Sequence, residues 1–234
     1  MKNLIFLLKS FLVANLLFLF SGCISLTSMQ TGRTLGKNNA EFSANVTYGN
    51  FSNTSVYYQT DTTDVDNVLF SMPNGGLKCS FGLTEKLDLG INIDLLGNVG
   101  SNLKYQIIGN KETFFASSIG FDLGFNFVPA IFGFATTNLS IPLFLSIHPT
   151  DYLSIYLTPR CFLASNYFYG FTYGQMPVAD RFLGTTGIFI NSYGLILGKK
   201  NKLAFEISNY SKVFYKPTQF SIGYIYTFNK SKTK

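Results

Sequence analysis

From Ala40 onward, apolar and polar residues alternate with a period of two. Phe42, Ala44, Val46 and Tyr48 interleave with Ser43, Asn45 and Thr47. Leu77, Cys79, Phe81 and Leu83 interleave with Lys78, Ser80 and Gly82, and Leu87, Leu89, Ile91, Ile93 and Leu95 with Asp88, Gly90, Asn92 and Asp94. The same pattern recurs at Leu103–Ile107, Phe115–Phe125, Leu139–Ile147, Leu153–Leu157, Leu203–Ile207 and Phe220–Phe228. Alternation of this kind marks strands with one apolar and one polar face. The segment Thr186 to Leu197 is strongly β-prone, but its facing is ambiguous. About ten strands are predicted, an even number.

Short polar turns are expected at Thr84–Lys86, Gly109–Glu112, His148–Asp151 and Gly198–Asn201. Between them fall connections of variable and often greater length, at Asn50–Asp66, Gly97–Gly100, Phe127–Phe134, Ala164–Arg181 and Ser211–Thr218. Turns on one end and longer loops on the other are the plan of a transmembrane β-barrel. Pro142 and Pro159 count against it. Each falls inside a predicted strand, where it cannot donate a ladder hydrogen bond, and would mark a bulge or an early strand end.

A soluble β-sandwich also alternates, with its apolar face inward. Composition separates the two. The polar face is rich in Gly, Ser, Asn and Thr, with few of the Lys and Glu expected on a sheet facing water. Aromatic residues gather at strand ends and in loops, among them Tyr48, Phe51, Tyr57, Tyr58, Phe125, Phe127, Phe132, Tyr169, Phe171 and Tyr173, as in the girdles of membrane barrels. The fold expected is therefore all-β: a closed antiparallel transmembrane β-barrel of about ten strands over residues 40–229. The tethered sandwich is kept as an alternative.

The first 22 residues have a different pattern. Lys2 and Lys9 precede an apolar run, Phe11 to Phe20, of roughly ten residues, the length of a signal-peptide core and too short to span a bilayer. Its removal lowers the net charge from +6 to +4. Phe20-Ser21-Gly22-Cys23 resembles the bacterial lipobox, with Phe20 where Leu is usual. That resemblance implies acylation at Cys23. Residues 24–39 are polar and aperiodic, and read as a periplasmic linker from the lipid anchor to the barrel. Residues 230–234 form a basic tail.

Two further segments resemble bacterial outer-membrane β-barrel proteins. Phe81 to Asp94, FGLTEKLDLGINID, is similar to a hairpin common among them. The strand Phe220 to Phe228 resembles the terminal aromatic strand read by the barrel assembly machinery, although six residues follow Phe228 here. The stretch SLTSMQTGRTLGKNNAEF after Cys23 resembles the start of uncharacterised exported barrel proteins. The resemblance implies an outer-membrane location, with the lipid bilayer and the assembly machinery as partners and both barrel ends on the periplasmic side. It implies no activity.

Among candidate sites, the charged inner positions stand out. Lys78, Asp94, Lys104, Asp122, Arg160 and Glu206 cannot face lipid cheaply, since Lys or Arg at the midplane costs about 2–4 kcal/mol. They either pair into a network that closes the lumen or line a small pore that handles polar solutes. His148, the only histidine, lies near Asp151 and Ser154. A Ser-His-Asp site is conceivable there, but His-Pro-Thr-Asp is a good turn in its own right. Cys79 and Cys161 read as small apolar residues on the outer face rather than as a disulfide. No spacing suggests a metal or cofactor, and no basic stripe suggests nucleic acid. The functions left are a structural, adhesive or loop-mediated binding role for an acylated barrel, or a small channel. A barrel lipase or protease is the weakest reading.

Overall fold

Ten antiparallel strands close on themselves in the computed structural model, which describes residues 27–52, 69–71, 73–95, 97–110, 112–126, 134–168, 181–211 and 218–228. In chain order they are β1 (Ala40–Ser52), β3 (Asn74–Gly82), β4 (Leu87–Asp94), β5 (Asn98–Ile108), β6 (Phe115–Asn126), β7 (Phe134–Thr150), β8 (Leu153–Phe168), β9 (Arg181–Leu197), β10 (Asn201–Ser211) and β11 (Thr218–Phe228). A three-residue strand, β2 (Leu69–Ser71), pairs only with the end of β1. Each barrel strand lies beside the next, and β1 pairs with β11 from Ala40↔Phe228 to Gly49↔Gln219. That last pairing removes the sheet edges.

The alternation sets which side chains face out. Val46 is 59% exposed, Ile91 55% and Ile222 58%, while Thr47, Ser80 and Ser221 on the opposite face are buried. The apolar face of every barrel strand points outward. This is the reverse of a soluble sandwich, so the tethered-sandwich alternative is overturned. Such a continuous apolar exterior suits lipid and not water. Cys79 and Cys161 both lie on this wall as free thiols, Cys161 exposed.

Both prolines stay within unbroken strands. Pro142 sits opposite Arg160, and Pro159 opposite Asn191. The β6–β7 register is the same on either side of Pro142, but Gly120 and Phe121 make no pairs there. The missing donors thus drop a few rungs without a bulge or an early end. Gly120 leaves the space into which the Pro142 ring packs.

Three other expectations need correction. His148 is not in a turn, because β7 continues to Thr150 and the chain reverses at Asp151 and Tyr152. The connection expected at Gly97–Gly100 is tighter, since β5 begins at Asn98 and the Gly97 amide bonds back to the Asp94 carbonyl. β7, β8 and β9 also run longer than their apolar alternation, to 17, 16 and 17 residues. About 9–11 residues suffice to cross a bilayer. The excess, including Thr136, Thr137, Asn138 and Ser165, rises beyond the apolar band, where no alternation is required.

The short β3–β4, β5–β6, β7–β8 and β9–β10 connections lie at one end of the barrel, together with the start of β1 and the end of β11, and the three-residue β4–β5 connection lies at the other end. The signal segment, Cys23, most of the loop aromatics (Tyr57, Tyr58, Phe127, Phe132, Tyr169, Phe171 and Tyr173) and the tail lie outside the described residues. No helix among the described residues is long and apolar enough to cross a membrane.

Candidate functional site

The lumen is occupied by the chain itself. Residues 27–39, expected as a linker outside the barrel, enter at the short-turn end and run inward along the wall. The Asn38 amide donates to the Gly82 carbonyl at the rim, at 3.0 Å. Further in, the Leu35 amide donates to both carboxylate oxygens of Asp88 at 3.1 Å. The Thr34 hydroxyl donates to the Glu85 carbonyl at 2.7 Å. Gly32 donates its amide to Ser146 at 2.9 Å, and its carbonyl accepts from the Ser118 hydroxyl. At the inner end Thr27, Thr47 and Ser221 share a triangle of hydroxyl contacts at 2.7–2.8 Å. The correction has a physical reason. An aperiodic segment has unpaired backbone groups, and the inward polar face of a barrel supplies partners for them.

The most heavily bonded anchor is Glu206 on β10, only 2% exposed. Its carboxylate accepts from the Ser28 amide and hydroxyl at 2.9 and 2.8 Å, the Met29 amide at 2.7 Å, the Tyr156 hydroxyl at 2.7 Å and the Ser208 hydroxyl at 3.1 Å. A buried carboxylate needs such donors in place of water. The Met29 side chain packs beside Tyr156, Ile196, Ala204 and Ile225. Two glycines make room for the strap. A Cβ on Gly223 would run into the Met29 sulfur, and one on Gly32 into the Ala116 carbonyl.

The six charged positions singled out in the sequence do not form one cluster. Lys104 pairs with Asp88 at 3.1 Å, with side chains 7% and 5% exposed, and also donates to the Arg33 carbonyl at 2.9 Å. This pair and Glu206 thus hold the strap. The other four, Lys78, Asp94, Asp122 and Arg160, line a single polar cavity of about 100 Å³ beside Thr27–Gln30. Asp122 accepts from the Ser140 hydroxyl at 2.9 Å, and Asp94 from the Asn98 amide at 3.0 Å. Arg160 is 7% exposed, and its Nε and Nη2 groups have no hydrogen-bond partner.

A further pair escaped the sequence reading. Glu41 on β1 meets Lys202 on β10 at 2.8 Å, and Thr227 adds a hydrogen bond at 3.2 Å. The signal was present, because Glu41 shares the inward parity of Ser43, and Lys202 that of Glu206. Both are the second residue of their strand, just before the alternating apolar runs begin at Phe42 and Leu203.

The facing of β9 is also settled. Ile188, Ile190, Ser192, Gly194 and Ile196 point inward, and Phe189, Tyr193 and Leu195 outward. Ile190 packs with Phe162 and Ala164 inside the barrel. Apolar residues therefore occupy both faces of this strand, which is why the alternation blurred.

His148 uses both ring nitrogens on serines: Nε2 contacts Ser146 at 2.9 Å and Nδ1 contacts Ser154 at 2.7 Å. Asp151 instead bonds Lys199 of the neighbouring β9–β10 turn at 2.9 Å. That hydrogen bond holds the Asp151 carboxyl below its usual range and raises the Lys199 ammonium. The serine and histidine thus lack the carboxylate that would orient them, and no Ser-His-Asp triad is assembled. Among the described residues, no group of three His, Cys, Asp or Glu is placed to hold a metal ion.

No protein-family model matches the chain, and no curated protein matches it in sequence. Solved structures similar to it are bacterial outer-membrane barrels. The attachment invasion locus protein Ail of Yersinia pestis is 12% identical with a TM-score of 0.35, covering 82% of this chain and 99% of Ail. Neisserial surface protein A is 10% identical with a TM-score of 0.38, covering 81% and 97%. An outer-membrane channel from Pseudomonas putida F1 is 10% identical with a TM-score of 0.39, covering 84% and 97%. At these scores the likeness adds nothing to what the strand pairing itself establishes.

Proposed function

We propose that this chain is an outer-membrane β-barrel whose lumen is closed, when the chain carries no acyl group, by its own residues 27–39, with a structural or loop-mediated binding role at the long-connection end. The observation that carries this reading is the seat of Ser28 and Met29 on Glu206, deep among inward-facing residues. Closure is supported by the Lys104–Asp88 pair, which grips the same segment through Arg33 and Leu35. The tall β7–β9 wall supports a role beyond the membrane plane. The short-turn end is assigned to the periplasm, since short turns face that side in such barrels, and the terminal strand ending at Phe228 is assigned to the assembly machinery. The channel alternative requires the strap to leave. The test is planar-bilayer recording on refolded, unacylated chain starting at Cys23. No steady current is expected, and regular open-channel steps from correctly folded protein would overturn closure.

Acylation at Cys23 carries a geometric condition. Thr27 contacts Thr47, seven residues along β1 from the rim residue Ala40. Seven strand residues cover about 23 Å, or about 18 Å of depth at a typical barrel tilt. The four residues from Cys23 to Thr27 reach at most about 14 Å. A lipid held in the leaflet on the short-turn side would therefore draw Thr27 and Ser28 off their seat, so anchor and plug compete. Acylated chain extracted from membranes is expected to conduct, and a Cys23→Ala chain prepared the same way to stay silent. Equal silence in both, with acylation verified by mass spectrometry, would remove the competition.

A further inference from the structure

We infer that the polar cavity beside the inner end of the strap is a binding site for a small monocarboxylate that also carries a hydroxyl or amino group. The inference rests on the closed-lumen reading, because Thr27–Gln30 form one wall of the cavity.

Arg160 supplies the first reason. It projects from β8 into the barrel with more than nine-tenths of its surface buried, yet Nε and Nη2 lack partners. These two groups form one edge of the planar guanidinium, the edge that a carboxylate meets with two parallel hydrogen bonds. Buried polar groups are normally satisfied, so an open edge of this kind marks a place for an absent partner. Lys78 lines the same cavity and adds a second positive charge. The carboxylates on its wall do not fill the role, as Asp122 is engaged by Ser140 and Asp94 by the Asn98 amide.

The second reason is the pattern of acceptors. Gln30 Oε1 and Asn45 Oδ1 also line the cavity, are buried, and have no partner. An anion alone would leave them empty. A ligand with an O–H or N–H group beside its carboxylate satisfies both kinds of wall. Asp94 and Asp122 also disfavour a multiply charged oxyanion such as phosphate, whose extra charge would be repelled at close range. The volume of about 100 Å³ sets the size, admitting a ligand of a few heavy atoms.

The probe is sodium glycolate, titrated into isotopically labelled full chain in micelles. Heat-modifiable gel migration first confirms the barrel, and bilayer silence confirms the plug, so failure of the underlying reading is seen before any ligand is added. The chain has three arginines, Arg33, Arg160 and Arg181. The Arg160 Nε–H resonance is identified by its loss in Arg160→Lys. Glycolate is expected to shift that resonance saturably and ethylene glycol to leave it unmoved. Arg160→Lys, which keeps the charge but loses the planar edge, is expected to weaken glycolate at least tenfold by a second probe resonance at Asn45. Asn45→Ala is expected to abolish the preference for glycolate over acetate. No saturable shift in a closed barrel, unchanged affinity in Arg160→Lys, or phosphate binding as tightly as glycolate would each overturn the inference.

Discussion

A chain lacking residues 27–35 is expected to pass steady current in a planar bilayer where the intact refolded chain passes none. Eight-stranded barrels are filled by their own side chains, and a ten-stranded barrel is wider. Here the extra width is taken up by main chain. Several of the inward residues that contact it are small or polar, Ala116, Ser118, Ser146, Ala204 and Gly223, beside the larger Tyr156, Ile196 and Ile225 around Met29. Without the strap they would line a hydrated passage. A gentler variant separates the plug from general damage. Gly32→Val would force a side chain against the Ala116 carbonyl and break the bonds to Ser146 and Ser118. Overpacking of this kind costs about 1–3 kcal/mol. The strap can escape that strain by leaving, since no strand ladder depends on Gly32. Gly32→Val should therefore conduct while keeping its heat-modifiable migration and its unfolding midpoint near wild type. A silent deletion chain, shown to be inserted, would mean that side chains alone close the lumen.

Replacing Glu206 by leucine should destabilise the folded barrel by about 3–5 kcal/mol, as expected when one partner of a buried, charge-assisted network is removed. Ser28, Met29, Tyr156 and Ser208 would all lose their acceptor at once. Glu206→Gln should fall between, because one oxygen is kept and an N–H₂ group is turned toward other donors. The loss is shared between strap and wall. In a chain already lacking 27–35, Glu206→Leu should cost about 2 kcal/mol less, a coupling of the size seen for groups in one hydrogen-bond network. Urea unfolding midpoints of the four chains in one detergent measure it. Additive losses would show that Glu206 supports the barrel through Tyr156 and Ser208 alone.

Much of the wall was legible because a barrel writes itself into sequence with a period of two. Leu87 to Asp94 reads the same in letters as in space, lipid side and lumen side in strict turn. The reading failed where that rule is relaxed. β9 carries Ile188, Ile190 and Ile196 inward against Phe162 and Met29, so its two faces look alike. Strand ends such as Thr136–Asn138 lie beyond the apolar band and need no alternation. The strap was illegible for a different reason. It has no period, because it joins no ladder, and its partners are side chains far away in the chain. Ser28 and Glu206 are 178 positions apart, and nothing local at either residue announces the other. The inward parity of Glu206, Lys104 and Asp122 could be read, but not which of them would hold the strap and which would face the cavity.

The distance between Ser28 and Glu206 also sets an order of events. Ser28 leaves the ribosome ahead of every strand, yet its seat is built from β8 and β10, with Thr47 and Ser221 adding the seam between β1 and β11. That seat does not exist until the seam is closed. The earliest part of the folded body is therefore the last to settle. Until then the barrel is assembled around an unclaimed strand of its own chain, which remains open to any other partner that meets it first.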